Sequence, residues 1–359
     1  MDIGKIDKNL YIEARVKEPD VRFVNVRETD AVIHGLYEPY APGQFRRMPP
    51  EAAQQVSVGV ENLVLQTAGG RVRFKTDSAY VAVRVEQEGR TMSHMPILGS
   101  SGFDCYLNLD GEEVFCGSLI PPAKRSAGYE SILRFPDRRL REVTLNFPLY
   151  DQVQALYLGV QEDAQILPPR PYSIEKPVVF YGSSITQGGC ASRPGTSYEA
   201  ILSRRMDFDY VNLGFSGSGK GEAAMAQYLA GMEMSVFVMD YDANAPDADH
   251  LRKTHGKFYD IVREAHPDLP ILIVTRCTRP IWDDQIRRNA ECREVIRETY
   301  DRAVAAGDKV YWVEGSELLG ELGRACTVDG VHPTDLGFLY MADGIGKVLQ
   351  EALKNEGLL

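Results

Sequence analysis

The strongest constraint on the fold is an abrupt change in hydrophobic pattern at a proline-rich stretch, residues 168–177. Before it, short runs of alternating apolar and polar residues follow one another. After it, continuous apolar runs alternate with helical segments. Proline interrupts helices and strand ladders alike, so the stretch is a candidate linker. We therefore predict two domains, residues 1–167 and 168–359.

The first region has the pattern of an antiparallel sandwich. Gly69-Gly70 and Asp110-Gly111 each separate two strand candidates, and both dipeptides favour tight turns because they tolerate positive φ. No convincing amphipathic helix interrupts the pattern, and closely spaced short strands are typical of sandwiches and barrels. The predicted strands are 21–26, 62–66, 71–75, 80–85, 104–109, 113–116, 143–147 and 155–160.

The second region alternates fully apolar strands with helices, which is typical of a parallel sheet covered on both faces. The predicted strands are 177–182, 210–214, 235–240, 271–276 and 309–313. The predicted helices are 198–206, 222–231, 250–266, 284–306 and 335–353.

Charge and composition exclude some classes of partner. Lys and Arg total 40 against 51 Asp and Glu, so the net charge is −11, which argues against nucleic acid and anionic membrane surfaces. No apolar run approaches the roughly 20 residues that span a bilayer. The start of the chain lacks the apolar core of a signal peptide. The six Cys of the chain form no CxxC pair. We expect a cytoplasmic protein with free, packed thiols, and the sequence leaves a homo-oligomer open.

Polar residues follow the predicted parallel strands at the end where open sheets bind ligands. Ser184 follows the first strand, Gly217 the second and Asn244 the third, while Asp329 and His332 precede the last helix. A hydroxyl becomes a nucleophile when a base takes its proton, as His332 can, and Asp329 can orient the imidazole. The N–H groups of Ser184 and Gly217 and the Asn244 amide can stabilise an oxyanion.

Other residues allow more than one interpretation. Trp282 follows the fourth strand, where its ring can stack on a sugar or line an acyl pocket; packing against a neighbouring domain is equally open. His250, His255 and His266 do not form an HExxH zinc helix, so we expect them at the surface. No metal site is predicted.

The ordered segments resemble those of the SGNH (GDSL-type) hydrolases. Gly182-Ser183-Ser184-Ile185-Thr186 is similar to the GDS block, with Ser183 in place of Asp. Asp242-Ala243-Asn244-Ala245 takes the place of GxND, and Asp329-Gly330-Val331-His332 is a DxxH pair. In the first region, Gly102-Phe103-Asp104-Cys105-Tyr106 resembles the GxDLY signature of a sandwich domain that precedes some SGNH hydrolases.

The resemblance implies a flavodoxin-like three-layer α/β/α domain preceded by an antiparallel, jelly-roll-like β-sandwich. It implies a serine esterase in which Ser184 attacks, His332 transfers protons and Asp329 orients the imidazole, with no organic cofactor or metal. Family members with this layout include acetylxylan and related carbohydrate esterases. The expected substrate is therefore a small acyl ester, above all acetyl, on an oligosaccharide; a non-carbohydrate acyl ester is the alternative.

A competing interpretation is a nucleotide-binding loop. Residues 214–220 have the pattern GxxxxGK between a strand and a helix, and the apolar strand 236–240 ends in Asp. The next residue should supply a hydroxyl to Mg²⁺, but it is Gly221. This interpretation also leaves Ser184 and His332 without a role. A carbohydrate-binding protein with an inactive hydrolase domain would need a missing triad residue, and none is missing.

Overall fold

The structure, a computed structural model, describes residues 6, 12, 15–123 and 127–359. It divides into two compact units: Met1–Arg46 with Leu65–Arg170 and Ser192–Gly195, and Arg47–Val64 with Pro171–Ala191 and Thr196–Leu359. This division differs from a single boundary after residue 167 mainly in two segments. Residues 47–64 belong to the second unit, and residues 192–195 belong to the first. The chain start, on which the signal-peptide expectation depends, lies mostly outside the described residues.

The first unit contains two antiparallel sheets, in the orders β1-β9-β4-β7 and β2-β3-β8-β5-β6. Its strands are β1 Val21–Asn25, β2 Val32–His34, β3 Arg71–Thr76, β4 Tyr80–Gln87, β5 Phe103–Leu109, β6 Glu112–Leu119, β7 Gly128–Arg134, β8 Arg141–Asn146 and β9 Val153–Gln161. Buried side chains of both sheets, such as Phe74 and Leu145 from one and Val83 and Leu158 from the other, form one cluster. The predicted sandwich is confirmed.

The second unit contains a parallel sheet in the order β11-β10-β12-β13-β14. Its strands are β10 Ile174–Gly182, β11 Phe208–Gly214, β12 Val236–Asp240, β13 Ile271–Val274 and β14 Val310–Val313. Every residue of β12 and β13 is buried, as the continuous apolar runs predicted.

Helices cover both faces of this sheet in a three-layer α/β/α arrangement. They are α1 Pro50–Val56, α2 Val58–Leu63, α4 Tyr198–Met206, α5 Ala223–Ala230, α6 Ala248–Ala265, α7 Asp283–Ala306 and α8 Asp335–Asn355, while α3 Ile97–Ser101 belongs to the first unit. Helix α4 packs on α8, and α6 packs on both α5 and α7. Within the described part of the chain, none of the helices is long and apolar enough to cross a membrane.

Three expectations are wrong. Residues 62–66 do not form a strand, because the first two of them are the last two residues of α2. The Ser57 hydroxyl caps the first turn of this helix by accepting from the Val60 N–H. His255 is 2% exposed rather than at the surface, and its Nδ1 lies 2.9 Å from Thr299 Oγ1. The six cysteines are free, but Cys116 is exposed rather than packed.

Candidate active site

Ser184, His332 and Asp329 form a continuous hydrogen-bonded chain. Ser184 Oγ lies 2.9 Å from His332 Nε2, and His332 Nδ1 lies 2.7 Å from Asp329 Oδ2. The other Asp329 oxygen accepts from the backbone N–H of His332 at 2.8 Å and of Val331 at 3.0 Å. One carboxylate therefore fixes both the backbone turn and the imidazole. Such an arrangement can supply a nucleophile, a base and a group that orients the base.

Hydrogen bonds keep Asp329 ionised. Burial alone would raise the pKa of this carboxyl, but the bonds from His332 and Val331 and the nearby imidazole lower it to about 2. A carboxylate that stays charged favours the imidazolium formed when the base takes a proton.

The turn that carries Ser184 is fixed by its neighbours. Ser183, which stands where the family motif has Asp, accepts from the Ile185 N–H at 3.1 Å through its hydroxyl. Thr186 Oγ1 accepts from the Ser183 N–H at 3.2 Å and donates to Asp240. At Gly182, a Cβ would lie 2.0 Å from Thr186 Oγ1, so only glycine fits there. The departure from the motif thus keeps an oxygen acceptor inside the turn.

Gly217 presents a backbone donor from the loop after β11. Its φ is +65°, and a Cβ would meet nothing within 4 Å. Within the described part of the chain, its N–H has no hydrogen-bond partner. The neighbouring N–H groups are engaged: Ser216 donates to Gln187, Ser218 and Gly219 to the Phe215 carbonyl, Lys220 to Glu222, and Gly221 to the Tyr181 hydroxyl.

The hydrogen bonds of this loop also argue against a nucleotide-binding loop. A phosphate loop needs several backbone N–H groups pointing at one ligand. Here the N–H groups of Ser216 and of residues 218–221 are bound to protein acceptors. One unpaired N–H fits a single oxyanion instead.

The Asn244 side chain bonds to the loop that carries Gly217. Its Nδ2 donates to the Phe215 carbonyl at 3.0 Å and to the Gly219 carbonyl at 2.9 Å. An amide nitrogen has two hydrogens, so both are directed at the loop that carries Gly217. Asn244 itself lies in a turn held by Arg276, whose guanidinium contacts Asp242 Oδ1 at 2.8 Å. In this structure Asn244 holds the loop that carries Gly217, and its role as a direct oxyanion donor stays a prediction.

Arg47 is a site residue that sequence reasoning missed. It is 1% exposed, and its guanidinium donates to the carbonyls of Gly214 at 2.5 Å, Asn212 at 3.1 Å and Leu63 at 2.8 Å. It also lies 4.5 Å from the Phe215 ring centroid. The end of β11, where the Gly217 loop begins, is therefore fixed by a residue from far upstream. No motif marks such a contact.

Asp240 is a buried acid behind the Ser184 turn. It accepts from Thr186 Oγ1 at 3.2 Å and from the Tyr198 hydroxyl at 3.1 Å. Burial raises the pKa of Asp240 to about 7, against the lowering effect of these two hydrogen bonds. This buried carboxyl can therefore change charge near neutral pH.

A cavity of about 520 Å³ lies beyond β13 and β14, lined by Asp242, Thr275, Arg276, Arg279, Asn289 and Glu314 among others. Trp282 precedes α7 and is 62% exposed, but it is not among the lining residues. Neither is any of the three triad residues. Trp282 is therefore a surface residue outside the lining of this cavity.

Comparison with known proteins defines the class. Residues 175–350 match the GDSL-like lipase/acylhydrolase family, and residues 21–166 match the GxDLY domain found at the N-terminus of SGNH-hydrolase-type esterases. By these two matches the chain belongs to the GDSL-like (SGNH) hydrolases with an N-terminal GxDLY domain.

Solved structures share this layout. A Bacteroides ovatus protein described as a GDSL-like lipase is 28% identical, with a TM-score of 0.85 over 93% of this chain and 98% of that one. The salicylyl-acyltransferase SsfX3 of a tetracycline biosynthetic pathway is 20% identical, with a TM-score of 0.76 and coverages of 93% and 98%. The acetyl xylan esterase Est2A of Butyrivibrio proteoclasticus is 13% identical, with a TM-score of 0.56 and coverages of 94% and 100%. No curated protein matches the chain.

Proposed function

We propose that this protein is a serine esterase that removes small acyl groups, chiefly acetyl, from carbohydrate esters. The observation that supports the proposal most is the chain of contacts from Ser184 Oγ through the His332 imidazole to Asp329, at 2.9 and 2.7 Å.

The reaction proceeds in two halves. Ser184 Oγ attacks the ester carbonyl carbon while His332 Nε2 takes its proton, and the Gly217 N–H donates to the oxyanion. His332 returns the proton to the leaving sugar oxygen, which leaves the acyl group on Ser184. A water molecule then attacks the acyl carbon and gives its proton to His332. His332 returns that proton to Ser184 Oγ as the bond between Ser184 and the acyl carbon breaks and the acid leaves. Asp329 stays ionised throughout.

Carbohydrate esters are proposed as the substrates because the chain shares its layout with an acetyl xylan esterase and because the exposed Trp282 ring suits stacking on a sugar. An acyl group on Ser184 can also pass to an alcohol, so product analysis must separate hydrolysis from transfer.

The test is a panel of acetylated xylo- and manno-oligosaccharides beside aryl esters of increasing acyl length. We expect acetate release from the acetylated sugars and falling rates with longer acyl chains. Ser184→Ala should lower kcat by roughly 10⁴-fold or more, whereas Ser173→Ala, which removes an exposed hydroxyl bonded to Asp207, should not. Ser184→Ala activity within about tenfold of wild type would overturn the mechanism. Cleavage of aryl acetates alone would overturn the carbohydrate assignment.

A further inference from the structure

The GxDLY residues contain a buried charge that the proposed chemistry does not use. Asp104 is 0% exposed and Tyr106 is 3% exposed on β5. A buried carboxylate is costly unless it is fully hydrogen-bonded. The partners of Asp104 therefore show what the motif holds.

Those partners lie mostly on one short segment, Ser192–Gly195, which packs with the first unit. Asp104 Oδ2 accepts from the Gly195 N–H at 2.8 Å and from the Arg193 guanidinium at 2.9 Å, and the Tyr106 hydroxyl donates to the Gly195 carbonyl at 3.3 Å. The other Asp104 oxygen accepts from Asn146 at 2.8 Å. Both polar residues of the motif thus bind the same segment.

The contact leaves no room for a side chain at residue 195, the last residue of the segment. A Cβ on Gly195 would lie 2.6 Å from Tyr106 Cε2 and 2.7 Å from Asp104 Oδ2. The Arg193 guanidinium also lies 3.9 Å from the centroid of the Phe115 ring. Charge, hydrogen bonds and close packing therefore fix the position of this segment together.

The segment lies between the two reactive parts of the triad along the chain. It follows the turn of Ser184 and precedes α4. The next residue, Thr196, donates through Oγ1 to Asp335 Oδ1 at 2.7 Å, and Asp335 is the first residue of α8, which begins just after His332. Residues 192–196 therefore follow the turn of Ser184 along the chain and end in a hydrogen bond to the start of α8, just after His332.

We propose that Asp104 and Tyr106 are positioning residues for the Ser184–His332 pair, acting through Arg193 and Gly195. The inference rests on the proposed function, because it assumes that Ser184 is the nucleophile. A reactive geometry tolerates little displacement, and a shift of about 1 Å can cost about 100-fold in rate. The GxDLY signature then serves catalysis without touching substrate.

Matched variants test this. Asp104→Asn and Tyr106→Phe remove the proposed contacts, while Asp151→Asn and Tyr129→Phe remove a buried carboxylate and a buried hydroxyl elsewhere in the same unit. The readouts are Tm, kcat and KM for an aryl acetate, and the rate of inactivation by a serine-directed fluorophosphonate. We expect Asp104→Asn to lower kcat and the inactivation rate by about 10- to 100-fold with KM within about twofold, and Tyr106→Phe by a smaller factor in the same direction.

The controls should lose Tm but keep kcat within about twofold. Equal kcat losses in controls and motif variants would overturn the inference, and so would wild-type inactivation rates in both motif variants. If Asp104→Asn does not fold, Tyr106→Phe decides. Wild-type protein that the fluorophosphonate does not label would instead refute the proposed function, so the two failures are distinguishable.

Discussion

The triad and the loop that carries Gly217 are built in different ways. Asp329 and His332 are three residues apart, and the triad groups bind one another directly. The Gly217 loop is held from outside, by Asn244 on its carbonyls and by Arg47 at the strand end that precedes it. The difference teaches that removing a triad group deletes chemistry, whereas removing a loop-holding group displaces a donor that is still present.

The largest effect should come from the triad. His332→Ala removes the base and should lower kcat by roughly 10⁴-fold or more while the far-UV circular dichroism and Tm stay near wild type. His266→Ala, which removes an imidazole near the Leu229 carbonyl, is the matched control and should keep its activity. A large Tm loss in His332→Ala would mean that the imidazole also stabilises the fold, which would contradict the distinction between the triad and the Gly217 loop.

The loop should respond differently. Asn244→Ala leaves the Phe215 and Gly219 carbonyls without their side-chain donor, so we expect kcat to fall by roughly 10²-fold and Tm to fall as well. A direct oxyanion donor would lower kcat with no change in Tm. Measuring kcat, KM and Tm together therefore separates the two roles, and a pure KM effect would contradict both.

A smaller effect should appear in the pH dependence of stability. The pKa of Asp240 is raised to about 7, so the folded state keeps its proton while an unfolded Asp, with a pKa near about 3.9, has lost it. Wild-type stability relative to Asp240→Asn should therefore fall as pH rises from about 4 to about 7. Denaturant titrations at several pH values measure this. A pH-independent difference would mean that Asp240 is ionised in the fold at acidic pH.

The smallest effect concerns Trp282, whose side chain is exposed at the surface. Trp282→Ala should leave hydrolysis of aryl acetates within about twofold of wild type and raise KM for acetylated oligosaccharides several-fold, because a stacked sugar contributes binding alone. Ile281→Ala, at a similarly exposed neighbour, is the control. Unchanged KM on every sugar would remove Trp282 from the substrate site.

Sequence reasoning predicted what depends on local pattern. Fully buried parallel strands such as β12 are continuous apolar runs, and the residues after them share one sheet edge, so the order of Ser184, Gly217, Asn244 and the Asp329–His332 pair could be read in advance. The alternation of these strands with helices also predicted a sheet covered by helices on both faces.

What it missed depends on distant contacts. Helix α2 is six residues long, too short for a helical period to stand out, and Gly59 within it lies so close to Ser218 that a Cβ would be 2.3 Å from its hydroxyl. Burial of His255 depends on Thr299 from another helix. Arg47 binds the end of a strand far along the chain. No local pattern contains such contacts.

The most direct measurement is peptide mapping by mass spectrometry after treatment with a serine-directed fluorophosphonate. The account predicts one label per chain, on the peptide that contains Ser184, with no label in Ser184→Ala and slowed labelling in His332→Ala. A label on a different residue, or full labelling of Ser184→Ala, would contradict the claim that Ser184 is the nucleophile activated by His332.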